Sequence, residues 1–307
     1  MNIDDFNPEI GLAADLAPAL RRIVAPNPSP MTYRGTNTYL LGRRDIAVID
    51  PGPDSDAHLH AILTSCAPDQ RITHILVTHS HVDHSPLAMR LSQETGAPVL
   101  AFGPSDSGRS AAMKACLNAG MSGGGEGIDT DFQPDVLLRD EEPFWAGDQH
   151  LIALHTPGHM GNHLCFIWGD AVFCGDLVMG WASSLVSPPD GDLTDFMRSC
   201  AKLRARTPKI MHAGHGAPIT DPIPRIDWLI AHRTSREHQI IEHLHKASAT
   251  ARDIAEAIYT DTPDALIPAA TRNVFAHLID LEGKNRVERH APPTEDAVFS
   301  LCEPQMK

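Results

Sequence analysis

The chain has 307 residues, of which 42% are hydrophobic and 21% charged, and a formal charge of −14 at pH 7. These values suit one large folded domain or two unequal ones, and they exclude a disordered or collagen-like chain. The acidic balance disfavours a polyanionic partner, since tight phosphate binding calls for a basic face. No apolar run reaches the roughly 18 residues that a membrane-spanning helix needs. The start, Met1-Asn2-Ile3-Asp4-Asp5, lacks the basic-then-apolar order of a signal peptide, so a cytoplasmic protein with no membrane partner is expected.

From Thr38 onward, short β-rich runs alternate with turns. Thr38 to Leu41 and Ile46 to Ile49 read as paired strands around Gly42, ending in the turn Asp50-Pro51-Gly52-Pro53. Asp56 to Cys66 reads as a helix with His58 and His60 on its solvent side, and Ile72 to Thr78 as a buried strand. A second helix is expected to start with Ser85 as its cap and Pro86 in its first turn, and to stop at Gly96. The strand Pro98 to Phe102 then completes a β-α-β pattern, which points to a layered α/β protein. Residues 103–135 carry five glycines between Gly120 and Gly127 and read as an insertion loop, either a lid or a plain excursion.

Three further strands are expected at Gln149 to His155, Leu164 to Trp168 and Ala171 to Cys174, followed by a helix from Leu193 to Ala205 that Asp192 and Asp195 start. Near Thr220-Asp221-Pro222-Ile223-Pro224 the pattern turns helical. Helices at Arg225 to Lys246, Thr250-capped Ala251 to Tyr259, and Pro268 to Leu281, followed by a turn at Gly283-Lys284-Asn285-Arg286, describe a winged helix. Residues 225–290 hold nine Lys/Arg against ten Asp/Glu. A packing or dimerisation module is therefore favoured over a nucleic-acid reader, and self-association is left open.

Chemistry concentrates in histidines, of which there are eighteen. The six cysteines (Cys66, Cys116, Cys165, Cys174, Cys200, Cys302) form no C-x-x-C pair and read as buried, reduced thiols. The segment Thr78-His79-Ser80-His81-Val82-Asp83-His84 puts H-x-H-x-D-H at the mouth of a buried strand. Side chains two apart there can share one ion, so His79 and His81 pair while Asp83 and His84 turn toward a second. Other strand ends supply matching residues: His159 after Pro157-Gly158, Asp176 after Cys174-Gly175, and His215 within Met211-His212-Ala213-Gly214-His215-Gly216. The Asp176 carboxylate suits a bridge between two cations. His155 reads as a structural or supporting residue.

In their order along the chain these segments resemble the signature motifs of the metallo-β-lactamase superfamily. The resemblance implies a four-layer αβ/βα metallo-β-lactamase sandwich over residues 1–222, a C-terminal winged-helix domain over 223–291, and a tail at 292–307. It implies that His79, His81 and His159 hold one metal, that Asp83, His84 and His215 hold another, and that Asp176 bridges them. Asp50 and His163 match supporting positions behind the ligands. The Tyr33-Arg34-Gly35-Thr36-Asn37-Thr38-Tyr39 and Pro189-Asp190-Gly191-Asp192-Leu193 segments and the winged helix resemble one branch, small β-lactamase-like hydrolases related to a mitochondrial endoribonuclease.

The nitrogen-rich ligand set points to two zinc ions, with iron or manganese as alternatives. A hydroxide bridging the metals is the expected nucleophile, with Asp83 orienting it or accepting its proton. A small ester, thioester or related acyl compound is the expected substrate, with Tyr33, Arg34 and the 103–135 loop as candidate walls. Two alternatives are a phosphodiesterase or endoribonuclease, and a DNA-binding or scaffolding protein in which the metals are structural.

Overall fold

The computed structural model describes residues 6–121 and 127–302. One sheet runs in the order β1 (Ala14–Ala17), β2 (Leu20–Val24), β3 (Asn37–Leu41), β4 (Asp45–Ile49), β5 (Arg71–Leu76), β6 (Val99–Ala101), β7 (Val136–Leu137). Its strands are antiparallel as far as β4 and parallel beyond. The facing sheet has the order β12 (Ile210–Ala213), β11 (Ala171–Gly175), β10 (Leu164–Trp168), β9 (Gln149–His155), β8 (Pro143–Ala146). Strand alternation sorts the side chains into layers. Ala47 and Ile49 of β4 meet Leu151, Phe166 and Phe173 between the sheets. Ile46 and Val48 instead face Leu59 and Ile62 of α1 (Asp56–Thr64) and Leu91 of α2 (Leu87–Thr95). On the far side, Cys165, Val172 and Cys174 face Phe196 and Leu203 of α4 (Leu193–Ala205) and Leu229 of α5 (Pro222–Leu244). Four layers result, as the resemblance implies.

The winged helix follows. Thr250 caps α6 (Ala251–Ile258) in a reciprocal box with Asp253. Helix α7 (Ile267–Gly283) packs Phe275 and Leu278 against Ile254, and a sheet in the order β13 (Ala249–Thr250), β15 (Val298–Leu301), β14 (Val287–Arg289) closes the unit. Helix α5 serves both parts: Ile226 and Leu229 pack under the second sheet, and Ile240 and Leu244 pack in the winged-helix core. No helix among the described residues is long and apolar enough to cross a membrane.

Four expectations need correction. The 292–307 tail supplies a strand, since β15 pairs with both β13 and β14 through Phe299. Ser85 does not cap α2; its hydroxyl donates to Asp129 at 2.8 Å, and Pro86 holds the cap position without a side-chain bond. Within the expected 103–135 loop, Ser110 caps a helix, α3 (Ala111–Asn118), which packs Met113 and Cys116 into the winged-helix core. Beyond Gly127, Ile128 bridges His81, and Asp129 N–H donates to Ser80 O at 2.9 Å, so this segment braces the H-x-H-x-D-H loop. Gly123, Gly124 and Gly125 of the glycine run lie outside the described residues. Finally, His58 is buried rather than solvent-facing, with Nε2 2.8 Å from Thr38 Oγ1, and burial lowers its pKa to about 4.

A seam joins the winged helix to the loop after β11. The buried Arg233 of α5 donates to Ser184 O and, at 2.9 Å, to Asn273 Oδ1 of α7. Asn273 Oδ1 also accepts from Val186 N–H at 3.2 Å. Removing this acceptor strands two donors, one on a fully buried guanidinium. Asn273→Ala should therefore destabilise the protein by roughly 1–3 kcal/mol in denaturant unfolding; an unchanged midpoint and slope would contradict the seam's role.

Candidate metal centre

The ends of β5, β9, β11 and β12 meet at one edge of the two sheets, and each delivers part of the cluster. After β5 the chain turns back on itself, with His84 N–H donating to His81 O at 3.0 Å, so His79, His81, Asp83 and His84 share one loop. Two glycines make room for it. Gly175 has φ +45°, and a Cβ there would lie 2.8 Å from Thr78 Oγ1. At Gly214 a Cβ would lie 2.1 Å from Asp176 Oδ1, which forbids any larger residue.

All seven side chains expected as ligands converge. His79 Nε2 and His159 Nε2 each lie 3.0 Å from His81 Nδ1. On the other side, Asp83 Oδ2 is 3.4 Å from His84 Nε2 and 3.1 Å from His215 Nε2. Asp176 faces both groups, with Oδ2 3.2 Å from His215 Nε2 and 3.8 Å from His159 Nε2, and Oδ1 3.6 Å from His84 Nε2. Donor atoms of His79, His81 and His159 lie within 4.8 Å of one another, as do those of Asp83, His84 and His215 and those of His79, His84 and Asp176.

The outer ring nitrogens are tied down. His159 Nδ1–H donates to Leu185 O at 2.7 Å, His215 Nδ1–H to Gly35 O at 3.2 Å, and His84 Nδ1–H to Asp50 Oδ2 at 3.0 Å. His79 Nδ1–H donates to Thr78 Oγ1 at 3.0 Å, because that hydroxyl itself donates to Asp50 Oδ2 at 2.8 Å. Each of these four rings thus aims Nε2 inward, as metal-binding histidines do when an outer partner fixes their tautomer. Asp50 accepts also from Thr78 N–H at 2.7 Å, so one carboxylate lies behind both His79 and His84. His163 stays outside the donor sets; its Nε2 accepts from Asp176 N–H at 3.3 Å and so holds the Asp176 backbone.

The donor set fits divalent cations. A tetrahedral ion with bonds of about 2.0–2.1 Å sets its ligands about 3.3 Å apart, close to the spacings here. Asp176 Oδ1 and His84 Nε2 are buried without a hydrogen bond, an expensive arrangement that a cation relieves. His155 lies apart, stacked on Phe102 with its Nε2 2.9 Å from Gly161 O. Tyr33 stacks on Trp181 at 5.0 Å, and Arg34 lies over the Tyr33 ring. The Trp181 indole in turn lies against Gly216, beside His215. Cys174 is buried with its thiol toward Val178 O and pushed well above the usual thiol range by burial, which makes it inert.

Several contributors were not singled out from sequence. Thr36 Oγ1 donates to Asp83 Oδ2 at 3.3 Å, Asn37 Nδ2 donates to Ala213 O and Gly216 O, and Leu185 acts only through its carbonyl. A backbone acceptor leaves no trace in residue identity. Thr36 and Asn37 stand in the run Thr36-Asn37-Thr38, and three small polar residues leading into the apolar Tyr39-Leu40-Leu41 are the one available signal.

Without a cation, protons take its place. Burial opposes charge on His215 more than any other single influence, yet Asp176 and Asp83 together raise its pKa to about 10. Against the same burial, Asp83, Asp176 and Asp50 hold His84 well above its usual value. For His79, burial and the neighbouring His84, His81 and His159 all oppose charge and hold its pKa well down. The stabilisation from the raised His215 is full below about pH 6.5 and fades as pH climbs toward about 10. A cation entering at pH 7 must displace these protons, so affinity should rise with pH over that window. Calorimetric titration of metal-free protein in buffers of differing ionisation enthalpy should show net proton release; uptake without release would contradict the electrostatics described.

Residues 31–215 match the Metallo-beta-lactamase superfamily, and residues 250–293 match the beta-lactamase associated winged helix domain. The beta-lactamase-like protein 2 homolog of Drosophila melanogaster is 32% identical over 305 residues, covering 94% of this chain and 96% of the relative. The atrochrysone carboxyl ACP thioesterase of Aspergillus fumigatus is 28% identical over 274 residues, covering 86% of this chain and 77% of the relative. A crystal structure of a metallo-beta-lactamase family protein from Thermus thermophilus aligns with a TM-score of 0.73 and 25% identity, over 94% of this chain and 100% of that one. The chain therefore belongs to the metallo-beta-lactamase superfamily of hydrolases, with a winged helix at its C-terminal end.

Proposed function

We propose that the protein is a dinuclear metal-dependent thioesterase acting on small acyl thioesters. The observation that carries the reading is the convergence of five histidines and two aspartates, with Asp176 facing both the His79-His81-His159 and the Asp83-His84-His215 groups. His79, His81 and His159 would hold one cation, Asp83, His84 and His215 the other, and Asp176 would lie between them. The majority of nitrogen donors favours zinc, and iron or manganese also suit such a set. Bound divalent cations lower the pKa of water from about 16 toward 7 and polarise an electrophilic oxygen.

The chain's own residues set up the rest. Asp83 is the more open of the two carboxylates, with its side chain 14% exposed against 2% for Asp176. It orients the attacking water and accepts its proton, while Thr36 holds Oδ2 from behind. The Asp50 and Leu185 bonds keep His84 and His159 from turning. In the net reaction a C–O bond forms, the C–S bond breaks, and the water proton passes to the departing thiolate.

The thioester assignment is supported by the relative named as an acyl-carrier thioesterase and by the way the winged helix spends its cations. Lys284 is paired with Glu237 and Asp280, Arg289 with Glu282, and Arg272 with Glu295. Helix α7, in the position of a recognition helix, buries Val274, His277, Leu278 and Leu281. These features disfavour phosphate contacts.

Metal-loaded protein assayed on acetyl and longer acyl thioesters, bis-p-nitrophenyl phosphate and single-stranded RNA should turn over the thioesters with the highest kcat/KM. Asp83→Asn should lower kcat on them by about 100-fold or more with the fold intact. Faster cleavage of the phosphodiester or the RNA would overturn the acyl reading in favour of a nuclease.

A further inference from the structure

A cavity of about 230 Å³ opens at the seam between the catalytic fold and the winged helix. Met179 and Leu185 come from the loop after β11, Met31 from the segment before β3, and Tyr259, Leu266 and Ala269 from the winged helix. We propose that this cavity binds the acyl group of the substrate, so that the winged helix sets which thioesters the centre accepts. The inference rests on the thioesterase reading and adds the acyl class to it.

Three observations support it. First, the cavity shares its wall with the metal centre: Leu185 is the residue whose carbonyl holds His159, and Trp181, also in the lining, lies on Gly216 beside His215. Second, no charged side chain lines it among the described residues, and Asn273, its one amide, already accepts from Val186 N–H and Arg233. A phosphate or a free carboxylate would find neutral hydroxyl, indole and amide donors there but no opposite charge, whereas an uncharged apolar group meets Met31, Met179, Leu185, Leu266 and Ala269. Third, methionines contribute to the lining, and their flexible thioethers adapt to varied apolar shapes. Since an apolar cavity of about 150 Å³ takes a benzene ring, this one suits an alkyl or aryl group of about nine carbons.

A second cavity of about 350 Å³ also has Trp181 in its lining, with Phe6, Tyr33, Trp228, Asp221 and Arg225. Its charged members fit a polar group, such as the thiol-bearing arm, better than a hydrocarbon.

Ala269 is only partly buried on α7, so Ala269→Phe fills the cavity from a helix surface; Leu266→Trp does the same from the neighbouring turn. With wild-type protein, kcat/KM should be about tenfold or more higher for octanoyl or 2-naphthoyl thioesters than for the acetyl thioester. Ala269→Phe should lower kcat/KM for the octanoyl and 2-naphthoyl thioesters by about tenfold or more and so erase that preference, and Leu266→Trp should repeat the result should the first variant fail to fold. In parallel, 2-naphthoamide should bind metal-free wild-type protein and lose binding in the filled variants. Unchanged selectivity and unchanged probe binding in the filled variants would overturn the assignment, as would a loss of acyl preference in Trp228→Ala instead. Probe binding lost on filling, with no thioester turned over by wild type, would uphold the cavity as an apolar site and sink the thioesterase reading alone.

Discussion

Seven side chains able to donate electron pairs to a cation are packed into one buried edge of the fold, and they cannot fully satisfy one another. Five imidazoles and two carboxylates present inward-facing atoms at 3.0–3.8 Å. Burying such groups with incomplete partners costs several kcal/mol each in principle. The surrounding structure maintains the arrangement nonetheless, through Asp50, Thr78, Leu185 and Gly35 behind the rings and through glycines where a Cβ would collide. Protons on His84 and His215 relieve part of the cost in the cation-free protein. Divalent cations would relieve more of it, by engaging donors that protons leave unpaired.

The same constraint explains why the winged helix is joined so closely to the catalytic fold. Leu185 must keep its carbonyl on His159, and the loop that carries it is bound on either side: Ser184 O accepts from Arg233, and Val186 N–H donates to Asn273. Helix α5 supplies Arg233 while packing in both hydrophobic clusters, so the seam is part of the support behind the metal centre. A domain family often associated with nucleic acids here contributes a wall and a brace, and Lys284, Arg289 and Arg272 are consumed in local pairs.

Much of this was legible in the sequence for physical reasons. Short apolar runs marked β9 and β10 to the residue, and the ligand segments fall at strand ends, where neighbouring strands bring their termini to one edge. What escaped was context. His58 follows a helical pattern that gives no warning that Gly52 and Thr38 close over it. Ser85 has the chemistry of a cap, but a tertiary partner, Asp129, claims its hydroxyl. Helix α3 is short and follows Gly103, Gly108 and a run of small residues, so its burial against the winged helix, invisible locally, is what stabilises it. Strand β15 looked like a tail because four residues carry little pattern until β13 and β14 pair with them.

The proposed hydrolase requires two cation sites that share one carboxylate. Elemental analysis of the purified wild-type protein beside His81→Ala and His215→Ala tests this most directly. Two divalent cations per chain are expected in the wild type, and about one in each variant because each removes a ligand from a different site. No bound cation in the wild type, or full occupancy in both variants, would contradict it.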